Sequence, residues 1–342
     1  MKKALSILTL ILTIALIFTG CTIVDLRNDD VSDTQVEDIK DEVVTEPVTV
    51  KVGSLKGPTS IGLVKVMEDS QNAEGNYIYD FTIEAAGDAL APAIIKGELD
   101  IAAVPANLAA VLYNKTNGGV VAIDINTLGV LYIVENGNTV NTVEDLRGKT
   151  IYSSGKGNTP EYGLNYMLEA SGLVPDEDVN VVYKAEHAEC VAALANDVDA
   201  VAMLPQPFVT TAQLSNPDIR VALDVNKVWE EKSGKTLVTG VTIARREFVE
   251  QNPEIVADFL AKHKESAEYV NTNTSDAAML VEKFNIFKAA VAEKAIPYCQ
   301  ISAITGEDMK AAVSDYLGIL ANQNASAVGG KLPAEDFYYI EK

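Results

Sequence analysis

An internal repeat, with copies about one hundred residues apart, constrains the fold of this chain more than any other feature of the sequence. In the first copy, Val48–Leu55 alternates like a strand, and Lys56–Ser60 opens a helical pattern. In the second copy, Lys149–Ser154 is again strand-like and Gly155–Pro160 again opens a helix, with lysine, glycine and threonine at matching positions. Because a strand followed by a helix occurs twice, we predict two βα halves in one chain.

The later part of each copy repeats as well. Ala93–Val104 and Ala192–Leu204 each read as a helix, a turn with an acidic residue and a buried strand, and each is followed by a proline, Pro105 or Pro205. Strands that alternate with helices form parallel sheets through right-handed crossovers. Ligands of such sheets bind beyond the carboxyl ends of the strands, where helix N-termini present free N–H groups. If these edges of the two halves face each other, the gap between them is a binding cleft.

Charge and composition exclude several classes of protein. The 342 residues carry 27 Lys and Arg against 49 Asp and Glu, a formal net charge of −22, with no basic stripe to neutralise nucleic-acid phosphates. Three cysteines cannot form a disulfide framework, and two histidines are too few for an imidazole-based metal centre. We therefore expect no nucleic acid, no metal and no cofactor. We expect His187 at the surface or hinge side and His263 on a solvated helix face.

The N-terminus has the pattern of an export signal. Two lysines precede the apolar run Ala4–Phe18, which is shorter than the roughly 20 residues that a membrane-spanning helix needs. The stretch Phe18-Thr19-Gly20-Cys21 resembles the lipobox of bacterial lipoproteins, with phenylalanine where leucine is usual. The resemblance implies a signal peptide at residues 1–20 and lipidation of Cys21. Residues 21–47, which include nine acidic residues, would then be a lipidated acidic linker.

The chain is predicted to pass twice between the two halves, at Thr127–Gly129 and at Thr239–Val241. We therefore assign residues 48–128 and 241–342 to lobe 1 and residues 129–240 to lobe 2. Helical patterns after Pro253 return to cover lobe 1. These predicted helices are Ile255–Val270, Ala277–Phe284, Phe287–Ala295 and Glu307–Leu320.

The export signal, the acidic linker and the paired βα halves together resemble the solute-binding lipoproteins of ABC importers. Within them the chain is most similar to the NMT1-like group for nitrate, sulfonate, taurine and thiamine-pyrimidine uptake. The segments that carry this resemblance are Val52–Pro58, Gly97–Ala102, Val143–Lys149 and Leu204–Phe208. The resemblance implies an α/β fold of the periplasmic-binding-protein type II, with two lobes joined by a two-strand hinge that close on a small molecule. It also implies a monomer, lipid-anchored at the outer face of the cytoplasmic membrane, that delivers its ligand to an ABC permease with its ATPase.

The resemblance and the repeat select the same cleft loops for ligand binding. Their hydroxyl and amide side chains lie beside helix starts, where they can bind a ligand or cap the helix, with Thr159 as the N-cap of its helix. Lys56 and Lys156 are the only cations in these loops, which favours a neutral, zwitterionic or singly charged ligand over a doubly charged anion. The predicted ligand-binding residues are Lys56, Pro58, Thr59, Ser60, Pro105, Asn107, Thr127, Lys156, Asn158, Thr159, Tyr162, Gln206 and Thr239.

An enzyme of the same fold is the alternative function, because enzymes of thiamine-pyrimidine and menaquinone synthesis share it; a surface receptor uncoupled from transport is a third. A thiamine-pyrimidine synthase needs a histidine in the pocket and a cysteine-rich cluster, whereas Cys190 and Cys299 are isolated. No Ser-His-Asp or paired-carboxylate arrangement stands out, so we predict no catalytic residue and no enzymatic activity. The sequence does not distinguish among sulfonates, nitrate, thiamine pyrimidines and other small heterocycles as the ligand.

Replacing Cys21 tests the lipoprotein interpretation. Because the lipid is attached to this cysteine, Cys21→Ala is expected to abolish incorporation of labelled palmitate and to release the protein from the membrane fraction. Cys190→Ala is the matched control and should keep the label. Unchanged palmitate labelling of the Cys21→Ala variant would contradict the prediction.

Overall fold

The structure is a computed structural model that describes residues 47–196 and 200–341. The chain from Glu46 onward forms one compact unit. The predicted signal peptide, Cys21 and the linker up to residue 46 lie outside the described residues, as does the acidic turn residue Asp199. Within the described ranges, no helix is long and apolar enough to cross a membrane.

The described residues form two β-sheets. In chain order the strands are β1 Val48–Leu55, β2 Tyr77–Glu84, β3 Ile101–Pro105, β4 Val120–Leu128, β5 Leu131–Asn136, β6 Thr150–Ser154, β7 Asn180–Lys184, β8 Val201–Pro205, β9 Ile219–Asp224, β10 Val238–Arg245 and β11 Ile301–Ile304. A six-stranded sheet has the order β11-β4-β10-β3-β1-β2, and a five-stranded sheet has the order β7-β6-β8-β5-β9. We call these sheet A and sheet B.

Helices alternate with the strands and pack against them. They are α1 Pro58–Ile61, α2 Val64–Gln71, α3 Gly87–Ile95, α4 Ala106–Lys115, α5 Thr159–Glu169, α6 His187–Asn196, α7 Phe208–Ser215, α8 Val225–Ser233, α9 Arg246–Gln251, α10 Pro253–Thr272, α11 Thr274–Lys283, α12 Ala289–Ala295 and α13 Gly306–Gln323. Short 3₁₀ turns lie at Glu144–Leu146, Ile296–Tyr298, Ala325–Val328 and Glu335–Phe337. As predicted, α10 and α13 return to sheet A, where they contact β11 and β4.

The two sheets share one topology, which confirms the repeat and the predicted α/β fold class. In sheet A, β1 pairs in parallel with β2 and β3, and in sheet B, β6 pairs in parallel with β7 and β8. The pairing is alike relative to the strand ends, because Val52, three residues before the end of β1, lies opposite Ile101, and Ile151, three residues before the end of β6, lies opposite Val201. The next strand is antiparallel in both sheets, β10 beside β3 and β5 beside β8. The hundred-residue repeat of the sequence is thus a repeat of sheet architecture.

The chain passes between the sheets at two short segments. The first passage lies at Gly129 and Val130, between β4 and β5, and overlaps the predicted segment Thr127–Gly129 only at Gly129. The second lies at Gly234–Leu237, a few residues before the predicted one, because β10 is already paired with β4 at Val238. A Cβ on Gly129 would overlap the side chain of Asn226, so glycine is required there for close approach.

One apolar core runs from sheet A into sheet B. It includes Val104 and Ile125 of sheet A together with Ile133 and Met203 of sheet B. Trp229 of α8 is fully buried, and its ring centroid lies 4.3 Å from that of Tyr166 on α5 and 5.5 Å from that of Tyr316 on α13. The aromatic stack therefore joins helices of the two halves along one side of the molecule.

His263 lies in the core, so its predicted position on a solvated helix face is wrong. The ring is 0% exposed, and its Nδ1 lies 2.6 Å from the Oδ2 of Asp124, which is also 0% exposed. The flanking residues Lys262 and Lys264 predicted an exposed position for His263. In the structure, however, His263 lies on the face of α10 that packs against β4. A carboxylate can be buried here because the imidazole pairs with it.

Breaking the Asp124–His263 pair should destabilise the protein strongly. His263→Leu introduces an apolar side chain of roughly similar size and leaves the Asp124 carboxylate without its partner, which is expected to cost about 3–5 kcal/mol of unfolding free energy. Denaturant titration of residues 46–342 measures this loss. The double replacement Asp124→Leu with His263→Leu should recover most of it, because no charge then remains buried. A single variant as stable as wild type would contradict the pairing.

Candidate functional site

A cavity lies where the carboxyl ends of the strands in sheet A meet those in sheet B. Its inner chamber has a volume of about 120 Å³. Four prolines form much of its wall, and four threonines contribute hydroxyl groups. The lining residues are Leu55, Lys56, Gly57, Pro58, Thr59, Ala85, Pro105, Thr127, Val130, Leu131, Thr159, Pro160, His187, Pro205, Phe208, Thr239 and Gly240.

A second, outer chamber of about 500 Å³ shares Lys56, Ala85, His187 and Phe208 with the inner one. Its other walls come from α6, α7 and the segment around α11 and α12. Those additional lining residues are Glu186, Ala188, Val191, Thr211, Glu282, Asn285, Ile286, Phe287, Lys288 and Val291. The two chambers together offer a small pocket that adjoins a larger one, and both are lined mostly by apolar surface.

Seven of the predicted ligand-binding residues line the inner chamber. They are Lys56, Pro58, Thr59, Pro105, Thr127, Thr159 and Thr239. The other six, which are Ser60, Asn107, Lys156, Asn158, Tyr162 and Gln206, do not line either chamber. As ligand contacts, all thirteen stay predictions.

Several of these six residues hold the loops around the chamber. The Ser60 hydroxyl donates to the carbonyl oxygen of Leu55 at 2.6 Å and lies 2.9 Å from the Ser54 hydroxyl. Gln206 Oε1 accepts from the backbone N–H and the hydroxyl of Thr210, which satisfies donors at the start of α7. Both side chains are buried, so they support the loop backbones from behind.

Three others of the six, Lys156, Asn158 and Tyr162, lie near the start of α5. Asn158, rather than Thr159, is the N-cap residue, and Thr159 and Pro160 occupy the first two helical positions. Lys156 extends over the ring of Tyr183, 5.5 Å from its centroid. Tyr162 packs against the core, and burial raises the pKa of its hydroxyl.

A buried hydrogen-bond chain joins the two halves beside the inner chamber. The Tyr316 hydroxyl donates to Thr159 Oγ1 at 3.1 Å, and the Thr159 hydroxyl donates to Asn107 Oδ1 at 3.3 Å. The Asn107 amide donates to the carbonyl oxygens of Gly157 at 3.0 Å and Ala327 at 3.3 Å. Since Thr159 also lines the chamber, one side chain borders the cavity and connects the halves.

His187 also lines both chambers, which corrects its predicted position at the surface or hinge side. Its Nδ1 lies 2.5 Å from the Oγ of Ser154, and burial lowers its pKa to about 4, so the ring is uncharged at neutral pH. The sequence repeat could have predicted that His187 lies at the cavity, because it places His187 at the start of a helix that follows a strand end. β2 ends at Glu84 and α3 begins at Gly87, while β7 ends at Lys184 and α6 begins at His187, exactly one hundred positions later in both cases.

Charge in the inner chamber is sparse. Of its lining residues only Lys56 and His187 are ionisable, and His187 is neutral. In the outer chamber, Lys288 is paired with Glu282 at 3.0 Å. Among the described residues, no cluster of three or more His, Cys, Asp or Glu side chains could hold a metal ion. The chamber can therefore offer one positive charge, hydroxyl groups and apolar walls to a ligand.

Two sheets of equivalent topology with a cavity at their facing strand ends define the type II fold of periplasmic binding proteins. Within this fold, residues 119–278 match the family model described as NMT1/THI5 like, which confirms the predicted resemblance for that part of the chain. No curated protein matches the chain.

Solved structures share this fold over most of the chain. An ABC transporter from Parabacteroides distasonis is 23% identical, with a TM-score of 0.72, and the match covers 86% of this chain and 100% of the other. The periplasmic aliphatic sulphonate binding protein SsuA from Escherichia coli is 18% identical, with a TM-score of 0.69 and coverage of 85% and 96%. The alkanesulfonate-binding protein SsuA from Xanthomonas axonopodis pv. citri, bound to MOPS, is 17% identical, with a TM-score of 0.66 and coverage of 85% and 96%. At these identities the likeness establishes the fold.

Two of the four chamber threonines, Thr59 and Thr159, should differ in their contribution to the free energy of unfolding. Thr159→Val removes the acceptor of the Tyr316 hydroxyl and the donor to Asn107, both buried, which is expected to cost about 1–3 kcal/mol of unfolding free energy. Thr59→Val removes only a donation to the Leu55 carbonyl oxygen, which keeps the Ser60 hydroxyl as partner, so its cost should be below about 1 kcal/mol. Denaturant titration of both variants measures the difference, and equal losses would contradict the role assigned to Thr159.

Proposed function

We propose that this protein is an extracytoplasmic solute-binding component of an ABC importer, which captures a small organic molecule or anion between its two sheets. The observation that carries the proposal is the chambered cavity between the facing strand ends of sheets A and B. Ligands of open α/β sheets bind at such edges. The cavity is concave, largely apolar and supplied with a few polar groups, as small-molecule sites are.

The proposed ligand is neutral or singly charged, of the sulfonate, nitrate or thiamine-pyrimidine type. Lys56 supplies one positive charge to the inner chamber. Thr59, Thr127, Thr159 and Thr239 donate their hydroxyl hydrogens to acceptors of the protein, so they would bind anion oxygens by redirecting those hydrogens to the ligand. Two of the similar structures are sulfonate-binding proteins by name, which supports a sulfonate-like head group. A second fixed charge on the ligand would lack a partner in this chamber.

Capture is proposed to work by closure of two lobes around the two passages of the chain. Sheet A with its helices would move as one body and sheet B with its helices as the other, joined at residues 129–130 and 234–237. Ligand would shift the population toward the closed form by its differential affinity for that form. The closed form would then dock, as a monomer, on a permease that works with an ATPase.

Anchoring completes the proposal. Lipid on Cys21 would hold the protein at the outer face of the cytoplasmic membrane, and the acidic segment after it would act as a spacer. This arrangement suits a receptor that loads solute outside the cell and meets a permease in the same membrane.

An enzyme is the weaker candidate, even though His187 lies in the cavity beside Ser154. Ser154 is only 2% exposed and does not line either chamber, so a substrate in the cavity would not reach its hydroxyl. No carboxylate in the described structure is hydrogen-bonded to the His187 ring, so a serine nucleophile would lack the usual orienting group. Cys190 and Cys299 are both buried, and burial raises the pKa of each thiol.

A thermal-shift screen of residues 46–342 tests the proposed function. Sulfonates, nitrate, carboxylates and pyrimidines would be tested one at a time against the ligand-free protein. A ligand at about 100 times its dissociation constant should add roughly 2.7 kcal/mol of stability and raise the melting temperature measurably. The Lys56→Met variant should show a smaller response to anionic ligands than the unmodified protein. Absence of any stabilising compound across these classes would contradict a solute-binding role.

A further inference from the structure

Three aromatic rings line the outer chamber in succession. The ring centroids of His187 and Phe208 are 5.0 Å apart, with an angle of 42° between the ring planes. Phe208 and Phe287 follow at 5.1 Å and 81°, an edge-to-face contact. All three side chains are half-buried and line the chamber, so each presents part of its ring to the space inside it. Such surfaces bind planar rings by offset or edge-to-face stacking.

The three rings come from both halves of the molecule. His187 begins α6 and Phe208 begins α7, and both helices pack on sheet B. Phe287 lies between α11 and α12, in the part of the chain that packs with α10 and α2 beside sheet A. A ring held in this chamber would therefore contact both halves, which is the geometry by which a ligand stabilises a closed form.

His187 contributes an oriented and uncharged ring. Ser154 is buried, and its hydroxyl hydrogen needs an acceptor, which is the Nδ1 of His187 at 2.5 Å. The imidazole hydrogen is then on Nε2, which has no hydrogen-bond partner among the described residues. The ring can therefore stack on a ligand and donate one hydrogen bond to it without adding charge.

Lys56 supplies the charge next to these rings. Its ammonium group lies 5.9 Å from the centroid of Phe287, and no described carboxylate lies within 4.0 Å of it. The other lysine of the chamber, Lys288, is already paired with Glu282. The lining thus offers one unpaired positive charge directly beside an aromatic surface.

We propose that His187, Phe208 and Phe287 form a ring-binding subsite, and that the ligand is a monoanion that carries a planar unsaturated ring. The anionic group binds at Lys56 and the chamber threonines, and the ring lies against the three aromatic side chains. His187 acts as a specificity-determining residue, because its Nε2–H favours rings with a hydrogen-bond acceptor. This inference rests on the proposed function and names the ligand class of the same site.

Three sulfonates of similar size separate the contributions of ring and hydrogen bond. Benzenesulfonate and cyclohexanesulfonate share the head group and differ in whether the ring is planar and unsaturated. Pyridine-3-sulfonate adds an acceptor nitrogen to the planar ring. By calorimetry on residues 46–342, benzenesulfonate is expected to bind about fivefold more tightly than cyclohexanesulfonate. Pyridine-3-sulfonate is expected to bind about fivefold more tightly again.

Matched variants assign these preferences to residues. Phe208→Leu should abolish the preference for benzenesulfonate over cyclohexanesulfonate, and Phe287→Leu provides the same test from the other half if Phe208→Leu fails to fold. His187→Phe should keep that preference but lose the additional one for pyridine-3-sulfonate. Lys56→Met should weaken the binding of all three sulfonates about tenfold, while Lys232→Met, at an exposed position of α8 outside both chambers, should leave it unchanged.

Each outcome decides between the inference and its alternatives. Equal affinity for benzenesulfonate and cyclohexanesulfonate would overturn the ring-binding subsite, and equal effects of Lys56→Met and Lys232→Met would overturn the position of the anion. If none of the three sulfonates binds but the thermal-shift screen finds another ligand, this inference fails and the proposed function stands. If no small molecule binds at all, both fail.

Discussion

The buried side chain of Asn107 holds the two halves of this protein in register. Its amide and its carbonyl oxygen are all engaged, by Gly157, Ala327 and Thr159, so it ties α4, the C-terminal 3₁₀ turn and the start of α5 together. Because the site is shielded from water, each of these bonds would be costly to leave unmade. Thr159 belongs to both this hydrogen-bond chain and the wall of the inner chamber, so the contact between the halves lies directly beside the cavity. The rings of Trp229 and Tyr316 pack against each other and add an apolar contact between the same two halves.

The two histidines show how surroundings give one residue type two roles. His263 is buried against a carboxylate, and the pair stabilises the core of the half built on sheet A. His187 faces a serine hydroxyl instead, in surroundings that hold its pKa at about 4 and leave it neutral. Charged residues flank both histidines in the sequence, and this pattern predicted solvent exposure for each of them. The partner that decides the role lies 139 residues away in one case and 33 in the other.

The cavity combines a common architecture with different side chains in the two halves. Pro105 and Pro205 occupy equivalent strand ends, and both line the inner chamber. At other equivalent positions the halves differ: Gly87 corresponds to His187, and the buried Leu108 corresponds to Phe208. The half built on sheet B therefore supplies aromatic rings where the other half supplies small or buried side chains. The shared sheet topology explains why a cavity forms between the strand ends. The side chains that differ between the halves determine which ligands the cavity favours.

Local patterns in the sequence were enough to predict strands β1, β3, β6 and β8 and the later helices, because each depends on periodicity and turn residues within a few positions. Val48–Leu55 is a strand in the structure as predicted, and seven predicted residues line the chamber. Only the tertiary structure decided that Asn107 joins the halves, that His187 and Phe287 face one chamber, and that His263 is buried. Those roles depend on contacts between distant segments, whose geometry is set by how helices and sheets pack and not by the neighbouring residues in the chain.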